Sequence, residues 1–251
     1  MEALSSRKNA YIRHARQLAT DAAYRREQGE YLCDGIKTLR EALRFGSKVK
    51  SVLWKEQRQA IEGLDVTVQY TAPGELFDYA SPMQNSPGPL FCVAIPPQDR
   101  QTPLRNAIVL ENVQDPGNVG TVIRTANAFE IDAVILVGAC ADLYQPKTAR
   151  ATMGAIFRQR VLRMDLEELC AFLAQQNLPL YGAALCEGAR DVREIRLCSA
   201  AVAVGSEGQG LSPALLERCR EKIIIPMNPD SESLNAAVAA SLLMWEGRRE
   251  R

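Results

Sequence analysis

Three short polar turns in the second half of the chain hold the residue types that do chemistry. The first, Asp115-Pro116-Gly117-Asn118-Val119-Gly120, follows the apolar run Ala107–Leu110 and leads into a helical stretch carrying Arg124. A guanidinium near a helix start, beside a loop rich in backbone N–H groups, suits a phosphate or a carboxylate. The second, Gly205-Ser206-Glu207-Gly208-Gln209-Gly210, follows Ala200–Val204, and its glycines permit a close backbone approach or a positive φ. The third, Ser231-Glu232-Ser233-Leu234-Asn235, joins Ile223-Ile224-Ile225-Pro226-Met227 to an apolar helix, where the Asn235 amide must find hydrogen-bond partners. Each turn also has a purely structural reading. Arg124 then decorates a helix surface, Glu207 is a turn carboxylate, and Asn118 and Ser233 are helix N-caps, a role worth about 1 kcal/mol. Together, three polar turns flanked by apolar strands or helices point to a ligand site built from several loops of an α/β domain.

Turns of this kind need a sheet to hold them. Strands are expected at Ala107–Leu110, Ala133–Val137, Pro179–Ala184, Ala200–Val204 and Lys222–Ile225, and their near-continuous apolar character fits a parallel sheet covered on both faces. Helices are expected at Val119–Phe129, Leu166–Gln176, Pro213–Arg218 and from about Leu234, the last apolar nearly all round and therefore buried. Ahead of these, Pro96 to Pro103 has the composition of a linker. The expected organisation is thus a smaller α/β domain at 1–96, a linker at 97–104 and a larger α/β domain at 105–251. In the first domain, Asn9–Ala19 reads as a helix with Ile12, Ala15, Leu18 and Ala19 on one face. Arg25-Arg26 follow in a polar stretch, then strands near Tyr31–Cys33, Val49–Trp54, Val66–Tyr70 and Leu90–Ile95.

Composition narrows the function classes. The 251 residues carry no net charge, yet residues 1–58 hold 13 Lys+Arg against 7 Asp+Glu. A basic N-terminal third suggests a polyanion-binding face, with a solvated helical surface as the alternative. Seven scattered cysteines, no Cys-x-x-Cys and a single histidine, His14, argue against a disulfide framework and against a metal site. No run is long and apolar enough to span a bilayer, and the N-terminus lacks a secretory stretch, so a cytoplasmic protein with no membrane partner is expected. Gly-x-x-Gly-x-Gly at 205–210 is not the dinucleotide fingerprint, and no phosphate-binding Gly-x-x-x-x-Gly-Lys is present, which weighs against a nucleotide-dependent small-molecule enzyme.

The order and spacing of Asn118-x-Gly120-x-x-x-Arg124 with Ala126-Asn127-Ala128-Phe129, then Gly205-Ser206-Glu207-Gly208, then Ile225-Pro226-Met227 with Ser233-Leu234-Asn235, resemble the three motifs of the SpoU/TrmH family. Members of that family are RNA ribose 2′-O-methyltransferases of the SPOUT superfamily. The resemblance covers about residues 105–248. More weakly, Ser6-Arg7-Lys8-Asn9 and Gly35 before a helix with Glu41-Ala42-Leu43 resemble the ribosomal-protein-like RNA-binding domain often fused to these enzymes.

The resemblance implies a deep trefoil knot, bound S-adenosylmethionine and a homodimer whose active site uses both subunits. It places Gly205, Ile225 and Leu234, with Met227 adjacent, around the cofactor, and Asn118, Arg124, Glu207, Ser233 and Asn235 in the polar active-site set. A guanidinium stays protonated, so Arg124 is assigned to clamp the target phosphate and stabilise alkoxide charge rather than to act as a base. RNA, ribosomal RNA first, becomes the expected partner, and Arg7, Lys8, Arg13, Arg16, Arg25 and Arg26 the expected phosphate contacts. A transfer-RNA enzyme and a non-catalytic RNA-binding or assembly factor are the alternatives. Glu130 departs from the family pattern, standing where a glycine commonly follows Ala-Phe, and so does Gln159-Arg160, where a proline is frequent.

Overall fold

A computed structural model describes residues 2–228, 230 and 233–249; Ser231 and Glu232 of the third turn lie outside the described residues. The chain divides into two compact units, Met1–Pro97 with Asp142–Phe157, and Gln98–Ala141 with Arg158–Arg251. No helix among the described residues is long and apolar enough to cross a membrane.

The first unit runs β1 (Glu2–Ala3), α1 (Ala10–Thr20), α2 (Ala22–Gln28), β2 (Glu30–Asp34), α3 (Ile36–Arg44), β3 (Val49–Lys55), β4 (Val68–Ala72), α4 (Gly74–Ala80) and β5 (Leu90–Ala94). Its five strands lie in the order β1-β4-β3-β5-β2, with β5 antiparallel to both neighbours. Side chains alternate across a strand, so one sequence supplies two faces. Leu32, Leu53, Leu90 and Cys92 join a core with Ile12, Ala15 and Leu18 of α1 and Leu76, Phe77 and Ala80 of α4. The alternate residues Tyr31, Cys33, Val52, Trp54, Phe91 and Val93 join a second core with Leu39 and Ala42 of α3 and with Ala149 and Ile156. Both faces are apolar and both need cover. Asp142–Phe157, counted with the larger domain in the sequence reading, supplies part of that cover.

Arg25 does not behave as the sequence suggested. The polar stretch with Arg25-Arg26 is the helix α2, which Asp21 caps by accepting from Ala23 N at 2.8 Å and Tyr24 N at 3.1 Å. Arg25 is only 3% exposed. Its Nη1 donates to Leu18 O at 2.6 Å, and its Nη2 and Nε donate to Asp142 Oδ2 at 2.7 and 3.2 Å. It ties Asp142–Phe157 into the unit and is withdrawn as a phosphate contact. Arg7, Lys8, Arg13, Arg16 and Arg26 are exposed. His14, Glu30 and Cys92 bring ligand-type atoms within 4.8 Å of one another. Lys50 Nζ already donates to Glu30 at 2.7 Å, and His14 Nδ1 is hydrogen-bonded to the Tyr24 hydroxyl at 2.9 Å.

The second unit follows as β6 (Ala107–Glu111), α5 (Pro116–Ala128) and β7 (Ala133–Val137). After the excursion through α6 (Pro146–Ala151) it continues with β8 (Val161–Met164), α7 (Leu166–Gln175), β9 (Leu180–Ala183), β10 (Arg190–Asp191), β11 (Ala201–Val204), α8 (Pro213–Arg218), β12 (Glu221–Ile224) and α9 (Ala236–Arg249). Seven strands form one sheet in the order β10-β12-β9-β11-β6-β7-β8, and every pairing is parallel. That is the covered parallel sheet expected from the apolar runs. Leu169, Phe172 and Leu173 of α7 and Leu215 of α8 pack into its core.

Three details qualify the sequence reading. The α9 helix is not buried all round: Ala236, Ala237, Ala240, Leu243 and Met244 are buried, while Val238, Leu242 and Trp245 are exposed. The 97–104 stretch is anchored, since Arg160 donates to Asp99 O at 2.6 Å and Thr102 O at 2.7 Å, while Gln159 Nε2 donates to Ile131 O at 2.8 Å. Glu130 takes up the positive φ of 53° that a glycine would adopt more easily.

Arg25→Ala should cost about 3 kcal/mol, because it removes the partner of Asp142 and leaves the buried Leu18 carbonyl unpaired. Urea denaturation measures this. A midpoint unchanged from that of the parent chain would return Arg25 to the surface role.

Candidate functional site

A parallel sheet delivers the loops that follow its strands to one edge. The loops after β6, β11 and β12 carry the three polar turns, and β6 and β11 are direct neighbours in register. Helix α5 begins at Asp115, whose Oδ1 accepts from Asn118 N at 2.8 Å, with Pro116 in the first turn. Asp115 is therefore the N-cap, not Asn118, and the Asn118 side chain is left for other work. The same correction applies to the third turn. Asn235, not Ser233, caps α9: its Oδ1 accepts from Ala237 N at 2.9 Å and Val238 N at 3.2 Å.

The amide ends of these two asparagines meet one carboxylate. Glu207 Oε1 accepts from Asn118 Nδ2 at 2.8 Å, from Asn235 Nδ2 at 2.5 Å and from Ala236 N at 3.3 Å. Asn235 Nδ2 also reaches Asn118 Oδ1 at 3.1 Å. One residue from each turn thus closes a hydrogen-bonded triangle, and Glu207 lies at the start of α9, where a negative charge is favoured.

Two hollows flank this triangle. A polar cleft of about 560 Å³ is lined by Asn112, Asp115, Asn118, Glu207 and Gln209 among others. A more apolar cavity of about 390 Å³ is lined by Val204, Gly205, Leu211, Ile223, Ile225, Met227, Ser233 and Leu234, with Leu185 and Cys186 on another side. Leu185 is 55% exposed, an apolar side chain on the wall of an open cavity. The two hollows share Ser206, Glu207, Gln209 and Ala236.

Gly205, Ile225, Met227, Leu234 and Ser233 therefore lie around one cavity, and Asn118 and Glu207 on the neighbouring cleft. Arg124 is not with them. It is exposed on α5, lines neither hollow, and its side chain makes no hydrogen bond among the described residues.

Gly205 is required by its own loop. A Cβ there would lie 2.0 Å from Gly210 C and 2.1 Å from Gly210 O, because the turn folds back through Gly210 N donating to Ser206 O at 2.8 Å. The close approach read from the sequence is thus made by the chain itself.

Glu111 and Asn112, which hold the loops in place, were missed in the sequence. Glu111, 5% exposed at the end of β6, accepts from Ser212 N at 2.7 Å and from Ser212 Oγ at 2.6 Å, fixing the far end of the second turn. Asn112, at φ 55°, accepts from Ala139 N at 2.7 Å and joins the loop after β6 to that after β7. A carboxylate ending an otherwise apolar strand was the available signal. Nearby Cys140 is buried, and burial pushes its thiol up, so it offers no ready thiolate. The arrangement can bind and orient, and no activated nucleophile is built into it among the described residues.

Residues 105–245 match the SpoU rRNA Methylase family. The chain is 32% identical over 249 residues to the 23S rRNA (guanosine(2553)-2′-O)-methyltransferase RlmP of Bacillus subtilis, covering 99% of this chain and 100% of the relative. Its fold superposes on an AdoMet-bound rRNA methyltransferase from Sinorhizobium meliloti with a TM-score of 0.90 at 25% identity, covering 99% of this chain and 97% of that one. It also superposes on the SpoU methyltransferase AviRb from Streptomyces viridochromogenes in complex with AdoMet, with a TM-score of 0.88 at 25% identity over 97% of this chain and 98% of that one.

Gly205→Ala should destabilise the fold by about 2 kcal/mol, since the new methyl meets backbone that cannot step aside. Gly208, with nothing within 4 Å of its Cβ position, is the internal control, and Gly208→Ala should leave the thermal midpoint almost unmoved. Equal midpoints for the two variants would refute the tight-turn reading.

Proposed function

This chain belongs to the SpoU rRNA methylase family, and we propose that it transfers a methyl group from S-adenosylmethionine to a ribose 2′-hydroxyl of ribosomal RNA. The observation that carries this reading is the apolar cavity set against the polar cleft, with Glu207 in their common wall. S-adenosylmethionine, when bound, supplies an electrophilic methyl group on a sulfonium. The residues present fit it: about 390 Å³ with largely apolar walls lies in the range that holds a nucleoside-sized ligand. Gly205, Ile225, Met227 and Leu234 would hold it, with Ser233 adding a hydroxyl on the same wall.

In this reading the triangle of Asn118, Glu207 and Asn235 holds the three loops in the spacing that lets a ribose in the cleft face the methyl donor. Catalysis then comes chiefly from positioning. The 2′-hydroxyl proton leaves to a phosphate oxygen or a water, and a guanidinium stabilises the alkoxide as it forms. Arg124 is that guanidinium. Because it lies outside both hollows of its own chain, it serves the site of a second copy. The exposed stripe on α9 supports such a homodimer: Val238, Leu242 and Trp245, at i, i+4 and i+7, are 47%, 43% and 55% exposed. Trp245 sets its ring 5.6 Å from that of Phe129, next to α5, which packs on α9. The trefoil knot implied by the family resemblance belongs to the same reading, and the all-parallel sheet is compatible with it. Lys8, Arg13 and Arg26 would neutralise RNA phosphates, and Arg7 and Arg16 are further exposed cations that RNA would meet. With ribosomal RNA as substrate, the working compartment is the cytoplasm.

Activity, cofactor binding and oligomeric state test the reading. Arg124→Ala should lower methyl transfer at least ~100-fold while leaving S-adenosylmethionine affinity, read by calorimetry, within about threefold. Mixing that variant with Glu207→Ala should restore part of the activity. Retained activity in Arg124→Ala, or no heat with the cofactor for the parent chain, would overturn the assignment. Leu242→Arg should shift light scattering from a dimer to the 27.7 kDa monomer; a parent chain that already scatters as a monomer removes the two-subunit site.

A further inference from the structure

In the first unit, two arginines share one aromatic ring. The Arg7 Cζ lies 4.4 Å and the Arg16 Cζ 4.2 Å from the centroid of Tyr79. Arg16 Nη1 also donates to Tyr79 O at 2.5 Å. The three residues come from the segment before α1, from α1 itself and from α4, and α1 and α4 share the core of Ile12, Ala15, Leu18, Leu76, Phe77 and Ala80. The ring is therefore carried on packed helices rather than on a free loop.

Both arginines are exposed, and neither has a carboxylate partner among the described residues. The acid beside the ring, Asp78, is taken by Lys55 Nζ at 2.8 Å. Two like charges are gathered on one ring with no carboxylate paired to either among the described residues, an arrangement that an anionic or electron-rich ligand would favour. Stacking on an aromatic face fixes the plane of a guanidinium and leaves its far side open. Lys8 and Arg13 stand beside them in sequence and are exposed, with no ring stacked on either among the described residues.

We propose that Arg7, Tyr79 and Arg16 form a stacking platform for an unpaired base of the RNA, with Lys8 and Arg13 contacting its flanking phosphates. This rests on the reading of the chain as an RNA methyltransferase and adds how its first unit selects single-stranded over duplex RNA. A base offers a π-face to a guanidinium plane only when it is unstacked, whereas a duplex presents phosphates and closed base pairs. The platform discriminates by geometry, and the flanking cations supply salt-dependent affinity to either form.

The test is binding of the full-length chain, without cofactor, to a fluorescent single-stranded RNA and to a perfect RNA duplex of equal length, at several salt concentrations. Tyr79→Leu should weaken single-strand binding about tenfold, leave duplex binding within about twofold, and keep the salt slope. Tyr79→Phe keeps the ring and should bind as the parent does. Arg13→Ala should weaken both RNAs and flatten the slope. Equal loss for both RNAs in Tyr79→Leu, no loss for either, or a Tyr79→Phe that fails like Tyr79→Leu overturns the platform. Thermal melting of the variants separates misfolding from lost contact. Because no methyl transfer is measured, the platform can fail while methylation stands, and methylation can fail while the platform stands.

Discussion

The constraint on which the second unit depends is the parallel sense of its seven strands. Parallel strands need crossovers, the crossovers cover both faces, and every loop that follows a strand emerges at the same edge. Polar turns far apart in sequence are thereby brought to neighbouring positions without any contact between them having to drive it. The side-chain triangle at Glu207 then needs only to set the final spacing. Its hydrogen bonds are exposed and individually weak, so the triangle tunes a geometry that the sheet has already imposed. Glu111 and Asn112 act one layer below it, holding the second turn and the loop after β7 to the end of β6.

In the first unit the governing fact is a sheet with two apolar faces. α1 and α4 cover one face, and α3 covers the other only in part. Ala149 and Ile156, brought in from beyond β7, join Tyr31, Trp54 and Phe91 in that second core. Arg25 fixes the arrangement from within, since a buried guanidinium needs a carboxylate and a carbonyl and finds Asp142 and Leu18.

Much of this was legible in the residues, and the failures have physical causes. Apolar runs announced the parallel strands because a strand buried on both faces has no alternation to hide. The turns were recognisable because glycine, proline and asparagine are needed where the backbone bends. The caps were misassigned by two or three residues. Asp115 and Asn235 outcompete Asn118 and Ser233 because Pro116 fits the first helical turn and Asn235 stands next to the apolar run. Arg25 was misread because charge on a short helix looks solvated until its distant partner is known. Asp142 lies 117 positions away, and no local pattern signals a pairing of that reach. Arg124 stands apart from both hollows for a related reason: a motif preserves sequence spacing, and a helix turns that spacing into direction.

Asn235 holds two ends of the molecule at once. Its carbonyl oxygen starts the last helix, and its amide nitrogen faces Glu207 and Asn118. An aspartate could start that helix but would set a second carboxylate against Glu207, and a serine could start it but has no second group to reach across. Among short side chains, only a primary amide offers an acceptor and a donor on one rigid plane. The start of the final helix and the bridge between the three turns therefore depend on the same side chain, and a substitution that spares one role loses the other.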